Sequence, residues 1–296
     1  MKCVVTGANG FIGQSVVGEL ARRGFDVVAF DLLHDDADRS SNIRCVKGDV
    51  RNLELLKTQF DGANCIFHLS GVVGTDELFD DPKLAIEVNI CGALNIFLAA
   101  KEMKRPARIF LPTKHTEPNN IYSMTAQGVD KLGHVYRENC GLDVRALILP
   151  NVYGPFQNPY RPRRVVPQFI ARAIANDSIE IFGSGDQLVE LVFVSDVGRI
   201  IVDYLIEDVS VIETFELFAQ DVISIRSLAK KIIRISNSRS EITYASKRRG
   251  ELILTAFSRA SNVVDVVGPV NLTALDDGIE ITMDWYKRKY HAGIQL

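Results

Sequence analysis

The chain has 296 residues, of which 47% are hydrophobic and 24% charged, a balance that can bury a sizeable core and excludes intrinsic disorder. A net charge of −3 excludes a nucleic-acid face built on bulk positive charge. The local basic clusters, Arg161 to Arg164 and Lys247 to Arg249, read on their own as solvated loops or as anion-binding groups with equal weight.

The first elements alternate. "KCVV" at residues 2–5 reads as a central strand, apolar because a parallel strand is covered on both faces. Residues 11–23 place Ile12, Val16 and Leu20 on one helical face, and Gly24 ends that helix. "DVVAFD", "IRCVKGD", "NCIFHLSG", "ARIFLPT" and "LDVRALILPN" read as further strands, with helices over 52–59, 83–103 and 122–139. Repeated strand–helix–strand units imply right-handed crossovers and a doubly wound parallel sheet. The pattern loosens after Asn151, where "NVYGPFQNPYRPRRVVP" is rich in Pro, Asn and Gly and reads as a loop. A helix over 165–175, strands around "IEIFG" and "VELVFV", and helices over 197–206, 224–235 and 272–289 follow.

The expected architecture is therefore α/β. Residues 1–163, with returning segments from later in the chain, form a doubly wound parallel sheet, and residues 164–296 form a smaller C-terminal α/β substrate lobe. The cleft between them is the expected site. Five cysteines, Cys3, Cys45, Cys65, Cys91 and Cys140, are odd in number and contain no CxxC pair. Four of them sit in apolar segments, where a thiol is expected to be a small buried hydrophobe. A reduced, cytoplasmic setting fits this usage. The first strand begins at Met1, leaving no room for a signal peptide, and no apolar run is expected to span a membrane. No metal site is expected.

"TGANGFIG" places Gly7, Gly10 and Gly13 directly after a strand and leading into a helix. Gly7 permits the tight turn, Gly10 lets backbone amides approach a pyrophosphate, and Gly13 allows close helix–sheet contact. The helix N-terminus then offers partial positive charge to the phosphates. This is the fingerprint of a Rossmann dinucleotide site. Asp31 ends the second strand, where a carboxylate accepts from both adenosine ribose hydroxyls and repels a 2′-phosphate, so NAD is expected over NADP. The neighbouring acidic run 34–38 makes a surface aspartate the bland alternative.

Over nearly its whole length the chain resembles the extended short-chain dehydrogenase/reductase family, in particular the NAD-dependent nucleotide-sugar epimerases and dehydratases. The resemblance rests on "TGANGFIG", "GDVRN", "FHLSG", "VNICGALNIFLAA", "PNVYGPFQ", "IEIFGSGDQ", "VFVSDV" and "KRRGE", in that order. It implies that Asn9, Phe11 and Ile12 join the three glycines at the dinucleotide. It further implies that Asp49 and Val50 flank the adenine, and that Leu69, Ser70, Gly71 and Pro150 line the nicotinamide side. Asn89 would support the active-site helix. Asn151 would contact the sugar nucleotide, Val166 and Phe182 would lie around the base, and Arg248 would approach the diphosphate. The family's two long helices, here 83–103 and 122–139, imply a homodimer through a four-helix bundle.

The resemblance also implies a mechanism. A tyrosine acts as acid/base on a sugar hydroxyl while a hydride moves to or from NAD. A lysine one helical turn later stabilises the phenolate, because a phenol with a pKa near ~10 needs a nearby positive charge at neutral pH. Tyr122 takes the tyrosine position and Thr113 the hydroxyl partner, but Ala126 occupies the lysine slot. Lys131, nine residues after Tyr122, points to the opposite helix face at about 100° per residue. Lys114, beside Thr113, is the better substitute. An alanine in this slot reads in three ways: Lys114 compensates, the protein is impaired by nature, or the lysine has been replaced on purpose. Lys114 and His115, in place of the acidic pair that commonly follows the threonine, argue against a dehydratase of that type. The segment from Thr113 to Tyr122 is short. Val189 stands where an arginine usually binds diphosphate, leaving that work to Arg248, Arg249 or the Arg161–Arg164 cluster.

The leading expectation is hydride transfer at C4 of a nucleotide-linked sugar, as a 4-epimerase or a 4-ketoreductase. The rivals are a catalytically silent NAD-binding sensor or scaffold, and a reductase of a small carbonyl compound.

Overall fold

The buried strand β1 (Lys2–Thr6) lies in the middle of a seven-stranded sheet with β2 (Asp26–Asp31), β3 (Ile43–Lys47), β4 (Cys65–His68), β5 (Arg108–Thr113), β6 (Asp143–Ile148) and β10 (Phe215–Glu216). This computed structural model describes residues 1–33, 40–114, 120–160, 162–207, 214–219, 222–249, 263 and 267–291. His115, Arg161, the acidic run 34–38, residues 250–251 of "KRRGE" and most of the segment between Thr113 and Tyr122 lie outside the described residues. The strand order is β10-β6-β5-β4-β1-β2-β3 and every pairing is parallel. The order reverses between β1 and β4, so the carboxyl ends of those two strands open a crevice at the topological switch point.

Helices cover both faces. On one side α1 (Phe11–Arg22) packs against α7 (Val194–Ile206) over a core that includes Val5, Val16, Leu20, Phe67, Ile200 and Tyr204. On the other, α2 (Leu53–Phe60), α4 (Gly92–Lys101) and α5 (Ile121–Cys140) close over Val4, Phe30, Ile66, Ile96, Phe97 and Leu111. Each such side chain contributes about 1.5–3 kcal/mol on burial. This is why the strands read as continuous apolar runs and not as alternations.

The sheet's edge is fastened to α7 by a charge. Arg145 of β6 is 2% exposed, forks onto Asp143 and donates to the Tyr204 and Glu207 carbonyls at the end of α7. A buried guanidinium is tolerated only when its donors are satisfied in this way.

Helix α5 carries Tyr122 and Ala126, and both of its limits are encoded locally. The Asn120 side chain accepts from the Ser123 amide at 2.9 Å, and Gly141 ends the helix in the left-handed region at φ 67. Residues 83–103 are not one regular helix as the periodicity predicts. Pro82–Ala85 (α3) passes into a π-helical turn, Ile86–Cys91, before α4 begins. The wide turn carries Asn89, and such turns cluster at functional sites.

The second lobe is built on α6 (Val165–Ala175), α8 (Ile225–Ser236) and α9 (Leu275–His291), which share a core containing Phe169, Ile170, Leu228, Ile232 and Tyr286. Two small sheets complete it: β8 (Ile179–Phe182) pairs with β12 (Ile242–Ala245), and β9 (Leu188–Phe193) lies between β7 (Asn151–Tyr153) and β11 (Val222–Ser224).

Four sequence expectations need correction. Asn151–Tyr153 is a strand and not loop, because Tyr153 is buried and the segment pairs with β9. The last helix starts at Leu275, three residues later than the periodicity suggests. Of the cysteines only Cys3 and Cys65 are buried, whereas Cys91 and Cys140, which end helical segments, are exposed. The stretch Pro82–Lys101 does prove long and apolar enough by composition to cross a membrane, but 50% of its most apolar window is buried inside the fold.

Candidate active site at the carboxyl edge of the sheet

The turn after β1 is fixed by sterics. Gly7 has φ +70, and a Cβ there would lie 2.7 Å from the Leu69 carbonyl carbon and the Ser70 nitrogen. A Cβ on Gly13 would lie 2.0 Å from the Gly7 oxygen, which is the close helix–strand approach expected of the third glycine. Helix α1 starts at Gly10 with no side-chain cap and no acidic residue in its first turn. Its leading amides and the positive end of its dipole are thus available to an anion.

Asp31 sits at the tip of β2, where its carboxylate accepts from the backbone amides of Asn9 at 2.9 Å and Leu33 at 3.0 Å. A carboxylate has about four lone-pair sites, so it keeps capacity for further donors while pinning the glycine turn. Asp49 is engaged differently. Arg51 forks onto it with contacts from 2.6 Å, holding its carboxyl below the usual range, and Arg51 also reaches Glu87 at 3.3 Å. Val50 beneath it is buried.

Between the carboxyl ends of the strands and the second lobe runs a cleft of about 430 Å³. At one end it brings together Gly7, Gly10, Phe11, Ile12, Gly13, Leu69, Ser70 and Gly71. Its floor holds Asn89, whose side chain takes the Val72 amide at 2.8 Å and gives to the Val72 carbonyl and Thr125 Oγ1, both at 3.0 Å. Thr125 Oγ1 in turn donates to the Tyr122 carbonyl. One buried amide thereby ties the loop after β4 to the first turn of α5.

The reaction end gathers Thr113, Lys114, Tyr122 and Ala126, with Pro150, Asn151 and Val166 beyond them. Thr113 is buried at the end of β5, and its hydroxyl lies 3.5 Å from the Ala126 carbonyl. Lys114 Nζ donates to the Leu149 carbonyl at 2.9 Å. Burial lowers its pKa to about 8; the Arg164 charge adds to this and Glu216 opposes it. Burial pushes the Tyr122 hydroxyl up, and Arg164 pulls it back. Lys131, five residues beyond Ala126 on α5, is exposed.

Asn9, Asp31, Asp49, Val50, Phe182 and Arg248 do not line this cleft. A more open depression of about 610 Å³ borders Asp49 with Arg51, Asn52, Leu53 and Glu54, and holds none of the reaction-end groups. Arg248 stacks over the Phe182 ring at 5.0 Å, so two residues expected at the substrate lie on each other. Arg249 is committed to Asp76 at 2.8 Å, to Asp80 and to the face of Phe79. Of the described arginines in the 161–164 cluster, Arg163 is exposed and Arg164 enters the cleft.

Sequence reading passed over several cleft residues. His68, at the end of β4, is buried with Nδ1 2.9 Å from Thr6 Oγ1, and burial lowers its pKa to about 4, leaving it neutral near pH 7. Phe156 and Gln157 come from the segment read as loop. Phe156 adopts φ 70 and is 54% exposed, and the Gln157 side-chain oxygen is buried in the cleft wall without a hydrogen-bond partner. The signal available for these two was the position of "GPFQ" beside "PNVY", not any chemistry of their own.

A glycine-cradled helix N-terminus and a tyrosine–threonine pair in one interlobe cleft, with a strand-end carboxylate pinning the glycine turn from outside it, define a dinucleotide-binding α/β protein of oxidoreductase type. A profile described as the NAD dependent epimerase/dehydratase family matches residues 3–216, and the chain belongs to that family. Among its relatives, a UDP-glucose 4-epimerase of Mycolicibacterium smegmatis is 30% identical over 67% of this chain and 71% of its own length. A UDP-glucuronate 4-epimerase of Thermodesulfobacterium geofontis is 24% identical over 96% of this chain and 95% of its own length. The fold matches that of the UDP-glucose 4-epimerase of Thermus thermophilus in complex with NAD, with a TM-score of 0.85, 21% identity and coverage of 97% of this chain and 99% of that one. It also matches a dTDP-glucose 4,6-dehydratase of Streptomyces venezuelae with NAD bound, with a TM-score of 0.88, 22% identity and full coverage of both chains. The family is NAD-dependent by description, and the glycine cradle fits such a cofactor: the turn has no room for a side chain at Gly7 or Gly13, and α1 begins with no side-chain cap.

Proposed function

We propose that the protein is an NAD-dependent enzyme that modifies a nucleotide-linked sugar by hydride transfer at C4, as a 4-epimerase or a 4-ketoreductase. The observation that carries this reading is the sharing of one cleft by the glycine turn and the Tyr122–Thr113 pair. When bound, NAD supplies the hydride acceptor. Gly7, Gly10 and Gly13 admit its pyrophosphate, Asp31 accepts from the adenosine ribose, and Leu69, Ser70, Gly71 and Pro150 border the nicotinamide.

Tyr122 takes the proton from the sugar hydroxyl as the hydride leaves and returns one on reduction, while Thr113 orients that hydroxyl by hydrogen bonding. Asn151 and Val166 contact the sugar nucleotide. Arg248 and Phe182, stacked on each other, close on the diphosphate and base from the second lobe. The enzyme acts in the cytoplasm as a homodimer through the helical segments 83–103 and 122–139, and its lobes divide near residue 163.

The rival is an NAD-binding protein without turnover. It draws support from Ala126 in the lysine slot and from the burial that disfavours the Tyr122 phenolate. A panel of UDP-, GDP-, dTDP- and CDP-sugars, offered to the native chain and to Ala126→Lys and scored by product NMR, separates the two. Product from at least one nucleotide sugar supports the enzyme. Silence from both chains, with NAD binding demonstrated, supports the rival.

A further inference from the structure

Ala126 removes the cation that would stand one turn after Tyr122, yet the cleft around Tyr122 is not short of positive charge. Two cationic side chains line it, Lys114 from the end of β5 and Arg164 from the residue that starts α6. Among the described residues no carboxylate lines the cleft, so neither cation is neutralised from its wall. The two differ in what holds them. Lys114 Nζ is turned onto the Leu149 carbonyl, whereas Arg164 begins a helix whose first turn is not capped by any side chain.

We propose that Arg164, reaching in from the second lobe, replaces the missing lysine as the positive charge that stabilises the Tyr122 phenolate. The field at Tyr122 agrees. Burial drives the phenol up, and Arg164 is the group that drives it down. An arginine suits the task because it stays protonated throughout the working pH range, while Lys114, lowered to about 8, begins to lose its charge just above neutrality. Arg164 also lowers Lys114, as expected if one guanidinium faces both groups.

The other charges on elements packed around α5 are engaged elsewhere. Glu87 pairs with Arg51 and Lys83, and Glu77 accepts from the Thr75 and Arg163 amides. Asp143 takes both Arg108 and Arg145, and Asp130 accepts from Thr214. Lys101 on α4 and Lys131 on α5 are exposed, and His68 is neutral. Glu216 acts on Lys114 from β10.

Arg164 is thus a positioning residue for charge, acting through Tyr122. The inference rests on Tyr122 being the acid/base, but its test requires no turnover. The tyrosinate absorbance lost in Tyr122→Phe is titrated by ultraviolet difference in the full chain, alone and loaded with NAD. Arg164→Met is expected to raise the Tyr122 midpoint by about one pH unit or more, the range for removing an adjacent opposite charge. Arg164→Lys should hold it near the native value, and adding Ala126→Lys to Arg164→Met should bring it back. Lys114→Met should move it less.

An unmoved midpoint in folded Arg164→Met overturns the proposal, as does a larger shift in Lys114→Met. Should Arg164→Met not fold, Arg164→Gln gives the same reading. Weakened UDP binding in Arg164→Met with an unmoved midpoint assigns the guanidinium to a diphosphate and also overturns it. A shifted midpoint in a chain that turns over no nucleotide sugar upholds the inference and removes the proposed reaction.

Discussion

The two ends of the cleft are built by different means. The glycine end is made largely of backbone: three residues without side chains and a helix terminus within the first 13 positions, closed by the backbone of Leu69 to Gly71. The reaction end is made of side chains drawn from β4, β5, α5, the segment after β6 and the start of α6. A backbone site has one solution, since a Cβ on Gly13 would collide with the Gly7 oxygen at 2.0 Å. A side-chain site has several, because a charge can be delivered to the same spot from another element.

That contrast can be broken by substitution. Gly13→Ala should lower NAD affinity by about 100-fold, or roughly 2.7 kcal/mol, measured by calorimetry, because the backbone cannot yield. An Ala variant that binds NAD normally would show the cradle to be softer than its geometry implies. Asn89→Leu comes next. It strips the Val72 amide and carbonyl and Thr125 Oγ1 of their shared partner, and should cost about 1–3 kcal/mol of stability, read from the denaturant midpoint.

Asp31→Asn keeps the shape and removes the charge, so NAD should bind about tenfold more weakly as charge-assisted bonds become neutral ones, with the discrimination against NADP reduced. The last of these effects is a pH slope. Burial lowers Lys114 from 10.5 to about 8, so between those values the unfolded chain holds the extra proton. Folded stability then rises as pH climbs from 8 to 10.5, and Lys114→Met should lack this rise. Equal slopes for the two chains would show that Lys114 is solvated in the native protein.

Legibility in the sequence followed the same division. The parallel sheet could be read because strands covered on both faces are apolar throughout and glycines mark the turn. The helix over 165–175 could be read to its ends, with Asn176 at φ 57 as its stop. The break at Ile86–Cys91 could not, since a π turn keeps an apolar pattern and differs only in register. The strand at Asn151–Tyr153 was hidden by the Pro and Gly that follow it. At the reaction end, Tyr122, Thr113 and Ala126 were picked out only through the resemblance to the family's motifs. Arg164 was visible only as one of three arginines in the 161–164 cluster, and singling it out over Arg248 and Arg249 required the tertiary fold, which commits those two to Phe182 and to Asp76 and Asp80. His68 gave no signal, because a histidine at a strand end is chemically informative only once its burial is known.

Hydride transfer in this cleft, with Tyr122 moving the proton, is read from reduced-cofactor absorbance after mixing NAD-loaded protein with nucleotide sugars in a single turnover. The native chain should form NADH with at least one of them, and Tyr122→Phe should form it about 10²–10⁴-fold more slowly with NAD affinity unchanged. NADH formation that is undiminished in Tyr122→Phe, or absent with every nucleotide sugar despite full NAD occupancy, would contradict the account.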